Sequence, residues 1–121
     1  MSSERNLSSF GDVLLNFLYS LAKSEVSMRY EGERVKNHVL ARALSNSKVE
    51  VPRRLDKHGK GDFVENFIAK AWIEKLISTK EAVEILKSSL SRCGLEREED
   101  AMVEGFSKLL DEIERRKGVS K

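Results

Sequence analysis

Apolar residues recur along this chain at intervals of three and four, and almost nowhere in strict alternation, which predicts helices joined by short polar turns. The first predicted helix runs from about Ser9 to Lys23. Phe10, Leu14, Phe17, Leu18 and Leu21 form its stripe, and Val13 and Leu15 widen it. Ser8 or Ser9 supplies the cap, which places Asp12 in the first turn. Glu25 to Glu31 reads as a connector. A second helix, Gly32 to about Leu44, carries Val35, Val39, Leu40, Ala43 and Leu44 on one side, and Ser45-Asn46-Ser47 ends it. Pro52 makes Val49 to Leu55 an extended or short helical connector, and Lys57-His58-Gly59-Lys60-Gly61 reads as a flexible basic loop. The third helix, Asp62 to about Ile77, is apolar on several sides, which predicts a central position. Ser78-Thr79-Lys80-Glu81 has the form of a capping box for a fourth helix, Lys80 to Ser91, which Cys93-Gly94 closes. The fifth spans about Glu96 to Arg116, with acids at its start and Arg115-Arg116-Lys117 at its end, matching the helix dipole. No heptad repeat persists and no strand pattern exceeds a few residues, so the expected class is all-α: an irregular orthogonal bundle of about five helices.

Length sharpens this to one domain over residues 1–121, with 1–7 and 118–121 as flexible ends. Apolar residues make up 40% and charged residues 35%, and charges interrupt every apolar run, which excludes a transmembrane span. Met1 to Asn6 lacks the features of a signal peptide, and the lone Cys93 cannot form an internal disulfide, so the expected location is the cytoplasm. The net charge of +2 hides an uneven distribution. Arg29 to Lys60 holds nine Lys/Arg against four acids, a net +5; Glu96 to Arg116 holds eight acids against four bases, a net −4. The basic stretch is either a phosphate-contacting surface or an ordinary solvated face.

Candidate chemistry narrows to three carboxylates. Asp62 and Glu65 lie three apart, which puts both on one helix face. Asp12 follows a glycine inside an otherwise apolar segment, where a charge needs a partner. Acids converging from two helices suit a hard cation such as Mg²⁺, and such a site beside a basic surface suits phosphodiester hydrolysis. The plain structural alternative is that all three merely cap helices. No phosphate-binding glycine loop, Ser-His-Asp set or Cys/His zinc spacing is present.

Two stretches then resemble the ribonuclease III family. Phe10-Gly11-Asp12-Val13-Leu14-Leu15-Asn16-Phe17-Leu18 is similar to the family's signature helix, and Gly61-Asp62-Phe63-Val64-Glu65-Asn66-Phe67-Ile68-Ala69 to its second motif, in which Asp-x-x-Glu opens the central helix. Gly32 to Leu44 occupies the place of the basic helix between them, so the resemblance covers roughly Ser8 to Ile77. It implies a Mg²⁺-dependent endoribonuclease, with Mn²⁺ as a substitute ion, that cleaves double-stranded or structured RNA in RNA processing and works as a homodimer. Asp12, Asp62 and Glu65 would be both catalytic and metal-holding residues.

The chain departs from the family at two positions. Ser8 stands where most members place a glutamate, and Ser9 where many place an aromatic that buries itself in the partner subunit; Phe10 is the candidate replacement. The ending at Lys121 leaves no room for a separate RNA-binding domain, so RNA contact falls to Arg29, Arg34, Lys36, Arg53, Arg54, Lys57, His58 and Lys60. The competing readings are a catalytically retired relative that only binds structured RNA, an all-α nucleotide pyrophosphohydrolase, and a helical interaction domain. The second needs paired acids on two helices, and the first helix offers only Asp12 and Asn16.

Overall fold

The computed structural model describes residues 4–51 and 54–119, with side chains for 7–51 and 54–118. Among these residues lie five helices and no strand: α1 (Glu4–Ser27), α2 (Asn37–Asn46), α3 (Lys57–Ile73), α4 (Thr79–Cys93) and α5 (Glu98–Val119), with a single 3₁₀ turn, Leu95–Arg97, before α5. Pro52 and Arg53 fall outside the described residues. The class is all-α, as the periodicity predicts.

α1 packs against α3 and α4, α2 against α3 and α5, and α4 against α5. Leu15, Leu18 and Tyr19 of α1 meet Leu40, Ile68, Leu86, Leu90, Phe106, Leu109, Leu110 and Ile113 in one core, each under 2% exposed. Truncating a side chain such as Phe106 to alanine typically costs about 3–5 kcal/mol through lost burial and the cavity left behind. The buried Tyr19 hydroxyl is satisfied by donating to Glu98 Oε2 at 2.5 Å. Burial, and then the Glu98 carboxylate, push the Tyr19 pKa up.

Several boundaries differ from the sequence reading. α1 begins at Glu4, so neither Ser8 nor Ser9 caps it. α2 begins at Asn37 rather than Gly32, because 31–35 is non-helical and its alternate amides, those of Glu31, Glu33 and Val35, donate to α1 side chains. Lys57 to Gly61 is the opening of α3 and not a loop: Asp56 caps that helix by accepting from the Gly59 amide at 2.7 Å. α3 ends at Ile73, where Lys75 adopts φ 63° and the Leu76 amide closes onto the Ala71 carbonyl at 2.8 Å. The capping box at Ser78 forms as expected: the Glu81 amide donates to Ser78 Oγ at 3.1 Å and the Ser78 amide to Glu81 Oε1 at 3.0 Å. Cys93-Gly94 ends α4 as read.

Candidate active site

Two glycines sit where helices meet at the acids, the first between the acid-bearing α1 and α3. A Cβ at Gly11 would overlap the Glu65 carbonyl oxygen and stand 2.8 Å from its carbon, so only glycine lets α1 and α3 cross this closely. A Cβ at Gly61 would meet Asn37 Oδ1 at 2.6 Å, so the second glycine leaves room for the Asn37 side chain as it is placed. Each glycine directly precedes an aspartate, and the crossings therefore aim Asp12 and Asp62 at one place.

None of the three carboxylates caps a helix. With α1 starting at Glu4 and α3 at Lys57, Asp12, Asp62 and Glu65 all lie beyond the first turn, where no free amide awaits them. The sequence placed Asp12 and Asp62 in first turns; the longer helices move them inward, and that removes the capping alternative. The three line a cleft of about 380 Å³ whose lip also carries the exposed Arg34 and Lys36, with Asn37 beside them in the lining.

Glu65 is 6% exposed, and its environment is hostile to charge. Burial first, and then the neighbouring Asp12 and Asp62 carboxylates, raise its pKa to about 7. Ser8 works the other way. Its hydroxyl lies 2.9 Å from Glu65 Oε1 and 3.3 Å from Asp62 Oδ1, and donation to Glu65 favours the ionised form. The position expected to hold a fourth carboxylate thus holds a hydroxyl donor in contact with two of the others.

The donor chemistry, all oxygen and in excess of negative charge, fits a hard divalent ion that keeps several waters of its own. Among the described residues, however, no three acidic, imidazole or thiol groups are arranged to grip an ion. The three acids share a cleft without forming a closed cage.

The structure divides the basic residues. Arg34 and Lys36 line the cleft. Lys57 and His58 sit exposed on the first turn of α3, where His58 Nδ1 is 3.2 Å from Asn37 Nδ2. Lys60 donates to Ser45 Oγ at 3.1 Å, and Arg29 and Arg54 are exposed outside the cleft lining. Arg53 lies outside the described residues. Asn37 was missed by the sequence reading; it enters the site only through the crossing of α2 and α3, for which no local pattern exists. Asn16, the one residue that could have stood in for a second acid on α1, spends its Oδ1 on the Val35 amide at 2.7 Å.

Fold and cleft together define an all-helical domain with an acidic groove at a helix crossing and cations on its lip. A family model described as Ribonuclease III matches residues 5–119, nearly the whole chain, and the chain belongs to the ribonuclease III family, a family of RNA endonucleases. No individual curated protein matches it.

Proposed function

We propose that this chain is a metal-dependent endoribonuclease that cleaves double-stranded or structured RNA, as a homodimer, in RNA processing. The observation that carries the reading is Glu65: a buried carboxylate beside two others, in a cleft whose lining also holds the exposed Arg34 and Lys36. Perturbed acids in a cleft are where chemistry concentrates.

Asp12, Asp62 and Glu65 would hold the ion, with Mg²⁺ as the expected species. A divalent ion in such a site activates water and neutralises charge building on a phosphodiester. The chain's own residues do the rest. Ser8 favours the ionised form of Glu65 and orients it. Arg34 and Lys36 attract the RNA backbone, and Asn37 offers polar contacts beside them.

An apolar stripe supports the dimer. Phe10, Val13 and Phe17 are 41%, 65% and 53% exposed on α1, and Ile73 is 53% exposed on α3. Phe10 rests against Trp72 with ring centroids 5.8 Å apart, which extends the patch across both helices. A second copy of the chain covering this patch would remove it from water and set two clefts about a two-fold axis. No described helix is long and apolar enough to cross a membrane. A cytoplasmic location is the reading that fits the free Cys93.

The second reading is a retired relative that binds structured RNA without cutting it. Ser8 in place of a carboxylate, and the open arrangement of the acids, favour it. End-labelled duplex RNA, incubated with and without Mg²⁺, separates the two. The nuclease cuts only with the ion and loses cutting in Glu65→Ala. No cutting, with salt-sensitive binding retained by both proteins, establishes the retired binder.

A further inference from the structure

The segment that carries Arg34 and Lys36 is held by one stripe of polar side chains on α1. The Glu31 amide donates to Ser24 Oγ at 2.8 Å, the Glu33 amide to Ser20 Oγ at 2.7 Å, and the Val35 amide to Asn16 Oδ1 at 2.7 Å. The two serine hydroxyls donate in return to the Glu31 and Glu33 carbonyls, both at 3.2 Å. Asn16, Ser20 and Ser24 are four residues apart, a rise of about 6 Å on a helix. Alternate residues of an extended chain are about 6.6 Å apart. The two periods nearly match, so the helix presents its side chains as the edge of a sheet would present its backbone.

The same register sorts the strap's side chains. Glu31 and Glu33 pair with Lys23, itself 9% exposed, at 3.5 and 2.5 Å, and Val35 is buried. Burial works against the Lys23 charge, but the bonds from Glu33 and Glu98 hold its pKa above the usual lysine range. Gly32, Arg34 and Lys36 alternate to the exposed side. Among the described residues, neither Arg34 nor Lys36 forms a salt bridge, although both stand beside three carboxylates in the cleft lining.

We propose that Asn16 is a positioning residue: with Ser20 and Ser24 it fixes the extended strap 31–36 so that Arg34 and Lys36 stand at the cleft lip, ready for RNA phosphates. Asn16 makes the rung nearest the cleft. Without it the Val35 amide loses its acceptor and the cleft end of the strap is released, while the Lys23 ion pairs still tether the far end. The inference rests on the reading of the lip as an RNA surface.

Duplex RNA binding measured by fluorescence anisotropy across a salt series, without divalent metal, tests it. The proteins are wild type, the double variant Arg34→Ala/Lys36→Ala, Asn16→Ala, Ser20→Ala, and Asn16→Ala combined with the double variant. Losing two phosphate contacts should lower the slope of log affinity against log salt by about two. Asn16→Ala should lower it by a similar amount, and adding the double variant should then change little. Ser20→Ala should show the same coupling in weaker form, and serves alone if Asn16→Ala does not fold. Full loss in the double variant, with a wild-type slope and additive effects in Asn16→Ala and Ser20→Ala, overturns the positioning role alone. A wild-type slope in the double variant overturns the RNA reading of the lip, and the inference with it.

Discussion

Two groups of carboxylates in this bundle behave in opposite ways. In the first, Arg116 of α5 donates to Glu81 at 2.9 and 3.0 Å, to Glu112 at 2.7 Å, and to the Leu76 carbonyl at 3.0 Å. Arg116 holds the Glu81 pKa down to about 2, and Arg115 with Arg116 does the same for Glu112. In the cleft, Asp12, Asp62 and Glu65 have a hydroxyl among them and, among the described residues, no salt-bridged cation, and Glu65 rises to about 7. Both clusters are built from acids near helix crossings. The difference is that one carries its counter-charge within the cluster, whereas the other, on the proposed reading, would take it from a bound ion. A structural ion pair closes on itself; a functional cluster is left open at a cost to the fold.

The contrast has a sign in pH. Glu65 ionises less readily folded than unfolded, so the folded state loses stability as pH rises from about 4.5 through 7. Glu81 and Glu112 ionise more readily folded, so the stability they contribute is present above about 4.5 and is lost as pH falls toward 2. Metal-free protein should therefore melt highest near pH 5. The largest expected effect comes from removing the open charge: Glu65→Gln should stabilise the metal-free protein at pH 8 by on the order of 3 kcal/mol while abolishing cleavage. Thermal melts at pH 5 and pH 8 check this, and a Glu65→Gln protein less stable than wild type at pH 8 breaks the comparison. Mg²⁺ should raise the wild-type melting temperature more at pH 8 than at pH 5, and should do little for the variant.

At the closed cluster the expectation reverses. Arg116→Ala strips the charged hydrogen bonds from two carboxylates and from the Leu76 carbonyl and should lower the melting temperature, by less than Glu65→Gln raises it at pH 8 because solvent screens these charges. It should leave the Mg²⁺ response of the melting temperature intact, because the residue is not part of the cleft lining. An Arg116→Ala protein that melts like wild type would mean the pairing is a surface ornament, of the kind that contributes nothing measurable.

Gly11→Ala tests the crossing itself. In an ordinary helix that substitution stabilises by about 1 kcal/mol through propensity. Here the added methyl runs into the Glu65 backbone, and overpacking of this kind costs about 1–3 kcal/mol. The melting temperature should fall despite the better helix former, and cleavage should fall with it as α1 and α3 separate. A rise in stability would show that the crossing has room to spare.

What the sequence made legible follows the same division between local and distant causes. The five-helix class, the Ser78 capping box and the Cys93-Gly94 stop depend on residues within a few positions of one another, and periodicity exposes them. The three acids were legible because each sits in a short motif with its glycine. The strap was not: its amides are bonded by Ser24, Ser20 and Asn16, seven to nineteen positions away, so Val35 looked like one side of a helix beginning at Gly32. Lys57 to Gly61 looked like a loop because glycine usually breaks helices, whereas the Asp56 cap starts α3 there and Gly61 leaves room for the Asn37 side chain. Ser8 looked like a cap for a like reason. Its hydroxyl has a local use that sequence suggests and a distant use, on Glu65, that only the crossing provides.

Ser8 gives the smallest and most discriminating change. Its hydroxyl is the single contact named here that favours a charged Glu65, and such a hydrogen bond is worth about 1 kcal/mol. Ser8→Ala should therefore raise the Glu65 pKa further, which shifts the fall in metal-free stability to higher pH and raises the Mg²⁺ concentration needed for half-maximal cleavage at pH 7. Ser8→Glu adds a fourth carboxylate instead. It should lower the stability of the metal-free protein, lower the Mg²⁺ requirement, and so push the open cluster further from the closed one. Mg²⁺ titrations of cleavage for the two variants check both directions. If Ser8→Ala and Ser8→Glu shift the requirement the same way, the hydroxyl acts through packing alone, and the cleft's charge balance is set by the acids and the lip.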